Sequence, residues 1–144
     1  MTDQNKPEGN RPGFEVRMTV PFYDLDPMQV VWHGNYLKYF EVARAGLFDS
    51  LGLNLYAVQG ADSLIFPVVR TSVKYISSLH HQDDFICKAT VTDARFKIIL
   101  DFEIRMAGDG RICTRGRSEQ VAVKTPEMEL LLGIPEDIRR TFGF

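Results

Sequence analysis

From Phe14 the apolar residues fall on even positions, Phe14, Val16, Met18, Val20 and Phe22, with Glu15, Arg17 and Thr19 between them. This is the two-residue period of a strand with one buried face. Residues 23–34 break the rhythm. They hold Asp24, Asp26, Pro27 and Gly34, which favour turns and caps, so the segment reads as a loop despite Val30, Val31 and Trp32 within it. The period then lengthens: Phe40, Ala43, Leu47 and Leu51 lie three or four apart, while Lys38, Glu41 and Arg44 face elsewhere. That spacing predicts a helix over 35–51, with Asn35 as candidate N-cap and Gly52 as a left-handed stop.

Downstream the chain reads as strands. Residues 64–77 are rich in Val, Ile, Phe and Tyr, 80–84 form a polar turn, and Phe85, Cys87, Ala89 and Val91 alternate with charged or hydroxyl residues. Phe96, Ile98, Leu100, Phe102, Ile104 and Met106 give six successive even positions on one face. Ala107-Gly108-Asp109-Gly110 is a hairpin signal, so a returning strand is expected over about 111–124, ended by Thr125-Pro126. Near the C-terminus, Pro135 at the first helical position with Glu136 and Asp137 behind it predicts a short helix. The order is one strand, a loop, one long helix and a meander of about four antiparallel strands. It predicts an α+β fold in which a helix ~25 Å long, at ~1.5 Å per residue, covers one sheet face. The sheet's open edges favour pairing with a second copy, so a homodimer or homotetramer is expected.

Length and composition narrow the class. A chain of 144 residues is one domain, assigned to 14–144 behind a polar leader, 1–13, which is expected to be disordered. A net charge of −2 and a pI near 5.9 supply no basic field for a phosphate backbone, which excludes nucleic acid as a partner. The longest apolar stretch, 64–69, contains Pro67 and falls far short of the ~20 residues that cross a bilayer. The leader lacks a secretory apolar core, and the 2 cysteines, Cys87 and Cys113, lack CxxC spacing. A cytoplasmic location with both thiols reduced follows.

The chain carries no G-x-S-x-G elbow, H-E-x-x-H helix, P-loop or G-x-G-x-x-G turn. What it carries is a loop with two carboxylates and a histidine, Asp24, Asp26 and His33, delivering the chain into the long helix. A helix N-terminus has unpaired N–H groups and about half a positive charge, so it can hold a developing oxyanion. A carboxylate beside it could attack a carbonyl or activate water. Plainer readings stand next to this one: an Asp before a helix is commonly a cap or turn residue, and for Asp24 a turn bonded to its own backbone is expected. His33 alone reads equally well as a capping or packing residue. His80 and His81, with Asp83 and Asp84, fit a solvated turn better than a metal site, Glu41 and Arg44 fit a surface pair, and Trp32 fits a core or interface anchor.

The run D-x-D-P-x-x-V-V-W-H-x-N-Y, followed by Phe40-Glu41-x-Ala43-Arg44, resembles the 4-hydroxybenzoyl-CoA thioesterase family of hot-dog-fold acyl-CoA thioesterases. The resemblance implies a helix wrapped by an antiparallel sheet of about five strands, and a site at a subunit interface where coenzyme A approaches. It implies Asp26 as the catalytic carboxylate, acting as general base or as nucleophile. The His33 main-chain N–H would polarise the thioester carbonyl, and its ring would orient water or shuttle a proton. Tyr23, Gln29, Val30 and Tyr36 are then expected to contact substrate, and Arg95 and Lys97 to meet the CoA phosphates. No metal or organic cofactor is expected; CoA is part of the substrate. Many relatives carry Gly where Gln29 stands, which bears on the loop path. The alternatives are an acyl-carrier-protein thioesterase, an enoyl or 3-hydroxyacyl thioester hydratase or dehydratase, for which Glu41 is a minor candidate, and a non-catalytic acyl-CoA-binding protein.

Overall fold

The computed structural model describes residues 11–55 and 63–144. Its main sheet is five-stranded and antiparallel, in the order β1-β4-β5-β6-β3. The strands are β1 (Gly13–Thr19), β3 (Val68–Tyr75), β4 (Asp84–Asp93), β5 (Ile98–Met106) and β6 (Ile112–Gln120). Helix α1 (Asn35–Ser50) lies on one face. A small three-stranded sheet joins β2 (Leu64–Ile65), β7 (Val123–Lys124) and β8 (Glu129–Leu130) in the order β2-β7-β8, and α2 (Glu136–Thr141) follows.

Strand alternation and helix period meet in the core. Phe85, Cys87, Ala89 and Val91 of β4 and Ile98, Leu100, Phe102 and Ile104 of β5 are buried under Tyr39, Phe40, Ala43 and Leu47 of α1. The Phe40 ring stacks on Phe102 at 4.5 Å and 10°. Two glycines make room for this contact surface. A Cβ on Gly116 would lie 2.5 Å from Phe40 Cε2, and one on Gly46 would lie 2.2 Å from Phe14 Cε1. Cys87 and Cys113 are free and buried; burial pushes both thiols up, Cys87 to about 12, which keeps them protonated and inert at neutral pH.

The structure amends several boundaries. Asn35 does not cap α1: Gly34 holds that position in a helical conformation, and the Asn35 amide donates instead to the Asp24 carbonyl at 2.9 Å. Phe96 is 70% exposed, outside β5, because the Asp93 carboxylate accepts from the Arg95 N–H and guanidinium at 2.9–3.1 Å and turns the chain there. The expected strand over 64–77 divides at Phe66-Pro67, where Pro67 cannot donate to a ladder. The one over 111–124 divides after Gln120, so that Val123 and Lys124 serve the small sheet. Pro135 caps α2 rather than starting it. Of the leader, 1–10 lie outside the described residues; Arg11 and Pro12 are placed, the Pro12 carbonyl accepting from Val91 N–H at 2.9 Å, and Gly13 already belongs to β1. No described helix is long and apolar enough to cross a membrane.

The ring over Gly116 is fully packed, so it cannot swing away from an added methyl. Gly116→Ala is expected to lower stability by about 1–3 kcal/mol, read as a shift in denaturant midpoint; an unchanged midpoint would mean that Phe40 does not sit as described.

Candidate active site

The loop between β1 and α1 is a built hairpin. After a 3-10 turn at Phe22–Asp24, Leu25 bridges Val31, Asp26 N–H donates to the Val30 carbonyl at 2.9 Å, and Gln29 N–H donates to the Asp26 carbonyl at 2.9 Å. Pro27, Met28 and Gln29 form its tip. Pro27 presets one turn dihedral, and the Asp26 carboxylate accepts Met28 N–H at 2.9 Å through Oδ1. The hairpin docks on the connection between β3 and β4, with Val31 N–H donating to the Leu79 carbonyl at 2.9 Å and Val30 bridging His80.

Asp24 is not the self-bonded turn residue expected from its spacing. Its side chain is 2% exposed and faces α1, where Oδ1 takes Lys38 Nζ at 2.5 Å and Oδ2 takes the Tyr39 hydroxyl at 2.6 Å. Its carbonyl accepts from Trp32 N–H at 3.0 Å and from the Asn35 amide. Burial, then the bond to Asp24, raises the Tyr39 hydroxyl pKa, so it remains a donor. The residue that folds onto its own backbone is Asp26. The sequence signal for this clamp was the 35, 38, 39 spacing of Asn, Lys and Tyr, which sets three donors over the first turn of the helix.

Asp26, Val30, His33 and Tyr36 line one cleft of about 240 Å³, together with Tyr75 and Ser77 beyond the end of β3. Tyr75 donates its hydroxyl to the His33 carbonyl at 2.8 Å, and Leu79 N–H donates to the Tyr36 hydroxyl at 3.2 Å. The His33 ring packs edge-on to Tyr75 at 6.4 Å and against Trp32 at 5.1 Å. Burial raises the pKa of both tyrosines, which keeps both hydroxyls protonated. Among the described residues no acceptor takes the main-chain N–H of His33 or Gly34, as befits the start of a helix, where donors lack intrahelical partners. Gly34 has no room for a side chain: a Cβ would lie 2.3 Å from the Trp32 ring. Asp26, His33 and Tyr36 thus line one concavity at the start of α1.

A second opening, of about 650 Å³, shares Asp26 and Met28 with this cleft and is lined further by Phe22, Tyr23, Gln29 and His81. Tyr23 and Gln29 therefore meet Asp26 there, and not in the cleft that holds His33. Arg95 and Lys97 join neither. They follow β4 at its far end, nine residue steps from the loop end of that strand, or ~30 Å at ~3.3 Å per residue. Asp93 holds Arg95, and Glu119 holds Lys97 at 2.9 Å. Within one chain they cannot meet a ligand seated at Asp26 through short contacts. Glu41 pairs with Arg44 at 3.0 Å, but only Glu41 is at the surface: Arg44 is 3% exposed and donates to Ser118 at 2.7 Å. Among the described residues no cluster suits a metal ion; His81 packs on Phe22 instead.

Gln29 has a φ of +63°, the left-handed position that such a three-residue hairpin assigns to glycine. The side chain is tolerated because it is exposed at the loop tip, yet the backbone conformation costs a non-glycine residue roughly 1–2 kcal/mol. Glycine loses more entropy on folding, by roughly 0.5–1 kcal/mol, so Gln29→Gly is expected to gain up to about 1 kcal/mol. A β-branched Gln29→Ile is expected to lose more than that. Thermal unfolding of the pair checks both signs; a stabilised Gln29→Ile would show that the turn is drawn wrongly.

Residues 20–142 match the sequence profile of the Thioesterase-like superfamily. A relative from Bacillus subtilis (strain 168), YneP, whose name proposes an acyl-CoA thioesterase, is 28% identical over 105 residues, 72% of this chain and 75% of its own. The structure of a DHNA-CoA thioesterase from Staphylococcus aureus superposes with a TM-score of 0.74 at 26% identity, covering 83% of this chain and 80% of that one. That of a 1,4-dihydroxy-2-naphthoyl-CoA thioesterase from Synechocystis gives 0.82 at 21% identity, over 91% and 96%. The helix-in-sheet architecture is the hot-dog fold, and by the profile that spans nearly its whole length the chain belongs to the Thioesterase-like superfamily.

Proposed function

We propose that this protein hydrolyses acyl-CoA thioesters at Asp26. The observation that supports the reading is that Asp26 lines one cleft with His33 and Tyr36 at the start of α1, and the names of the relatives and of the superposed structures agree with thioester hydrolysis. With Asp26 as general base, the carboxylate takes a proton from water and the water oxygen bonds to the carbonyl carbon. The carbonyl electron pair moves to its oxygen, which the His33 N–H receives. The pair then returns, the C–S bond breaks, and the proton passes from Asp26 to the departing thiolate, leaving free CoA and a carboxylic acid that gives its own proton to solvent. With Asp26 as nucleophile, its oxygen bonds to the carbonyl carbon, the C–S bond breaks and the CoA thiolate leaves to take a proton from water; a second water then cleaves the anhydride, releasing the acid and restoring the Asp26 carboxylate. Either route suits modest equipment, because a thiol with a pKa of ~8.5 leaves without strong acid assistance. Neither route calls on a metal or an organic cofactor. The acyl-carrier-protein form of the substrate is the second choice of carrier.

A second copy belongs to this reading. β3 is one of the two edges of the main sheet, eight residues long; Val68, Val69 and Tyr75 are exposed along it and Ile76 just past its end. An edge of that length with apolar side chains favours pairing with its equivalent, and Tyr75 ties the same edge to His33. Hydration or dehydration of an enoyl thioester finds less support, since the helix acid Glu41 is engaged by Arg44 and does not line the cleft.

Thiol release from a panel of acyl-CoAs tests the assignment. Asp26→Asn is expected to lose at least 100-fold in kcat, about 2.7 kcal/mol, with an unchanged melting temperature. His33→Ala keeps the main-chain donor and is expected to lose less than about tenfold. Wild-type turnover in Asp26→Asn would remove that residue from the chemistry, and binding of acyl-CoA without release from any member of the panel would make the protein a carrier.

A further inference from the structure

The sheet face turned away from α1 carries a separate depression of about 410 Å³. Register builds it in two rows. Lys88, Glu103, Arg115 and Lys74 stand opposite one another across β4, β5, β6 and β3, and Thr90, Asp101, Arg117 and Ser72 form the next row. Arg11 reaches in from the segment before β1. Both acids of the depression are committed: Asp101 accepts from Arg117 at 2.7 and 3.1 Å, and Glu103 lies 3.5 Å from Arg115. Among the described residues, Arg11 and Lys74 have no carboxylate within ion-pair distance, while Lys88 faces Glu15 across the β1–β4 ladder and helps to lower its pKa. The Arg11 Nε is buried without a hydrogen-bond partner.

Two of these features are unfavourable in the protein alone. Lys74 directly faces Arg115 across the β3–β6 ladder, and like charges at opposed positions repel. A buried guanidinium N–H without an acceptor forfeits its hydration. A local excess of cations also stands out on a chain whose net charge is −2. All three are relieved by one kind of occupant, an anion with several oxygens, and the hydroxyls of Ser72 and Thr90 add donors for it. The volume lies within the range of small-molecule sites.

We propose that this depression on the outer sheet face binds a diphosphate-bearing small molecule, with Arg11, Lys74 and Arg115 as its principal contacts. The depression shares no lining residue with the cleft at Asp26. The diphosphate has two possible sources, a free nucleoside diphosphate or the diphosphate arm of a CoA molecule.

Amide chemical shifts of the full chain, titrated with inorganic pyrophosphate, ADP and CoA, test it. Pyrophosphate is expected to shift the amides of Lys74, Lys88 and Arg115 saturably, with affinity falling at least tenfold in Lys74→Gln, about 1.4 kcal/mol, and falling further as salt is raised. Asp26→Asn should bind pyrophosphate unchanged, so that loss of turnover and loss of this site are separate results. If the source is CoA, Lys74→Gln raises KM for acyl-CoA without changing kcat; if it is a free nucleotide, ADP binds and acyl-CoA kinetics stay the same. Absence of saturation at about 10 mM, far weaker than a 1 mM site, would overturn the proposal. So would shifts confined to residues around Asp26, or equal affinity in Lys74→Gln and Arg115→Gln.

Discussion

One buried carboxylate organises the functional end of this molecule. Asp24 sits between the β1–α1 loop and the first turn of α1, with Lys38 and Tyr39 on its oxygens and Trp32 and Asn35 on its carbonyl. Hydrogen bonds to a charged group contribute roughly 1.5–3 kcal/mol each. The Lys38 share is at the lower end, because half of that side chain is in water. The Tyr39 share is larger, since removing Asp24 would strand a buried hydroxyl. The consequence is geometric as much as energetic: the loop carrying Asp26 and the peptide carrying the His33 N–H are tied to the same helical turn. Tyr75 adds a tie from the sheet edge.

On the proposed reading, that constraint is what lets a site with so few chemical groups act. A carboxylate and main-chain dipoles are weak reagents in water, and their strength comes from fixed placement in a partly dry cleft. Trp32 folds over Gly34, which closes the helix start from one side, while the aromatic and aliphatic residues about the second opening leave Asp26 reachable from the other. The core stands behind both. Phe40 against Phe102, in the space Gly116 leaves, sets how closely α1 approaches the sheet and hence where its N-terminus points.

The parts legible in the sequence were those that depend on a residue's own periodicity. The alternation of Phe85, Cys87, Ala89 and Val91 and the three-to-four spacing of Phe40, Ala43 and Leu47 report which side of an element is buried, and the structure buries those sides. The left-handed turn at Gln29 was foreshadowed by the glycine common at that position in the family. Partnerships were not legible. Phe96 kept the strand rhythm yet left the strand, because Arg95 and Asp93 close a turn next to it. Asp24 has the local signature of a turn residue, and only the packing of α1 supplies its Lys and Tyr. Arg95 and Lys97 have the right charge for a nucleotide but stand at the end of β4 remote from Asp26 of their own chain, a fact that register alone reveals.

The central claim concerns where a thioester carbonyl would lie. A crystal structure with a non-hydrolysable thioester analogue measures it directly: the carbonyl oxygen should lie ~3 Å from the His33 main-chain nitrogen, with the carbonyl carbon facing the Asp26 carboxylate. An analogue bound with its carbonyl away from the start of α1, and Asp26 left pointing into bulk water, would contradict the account.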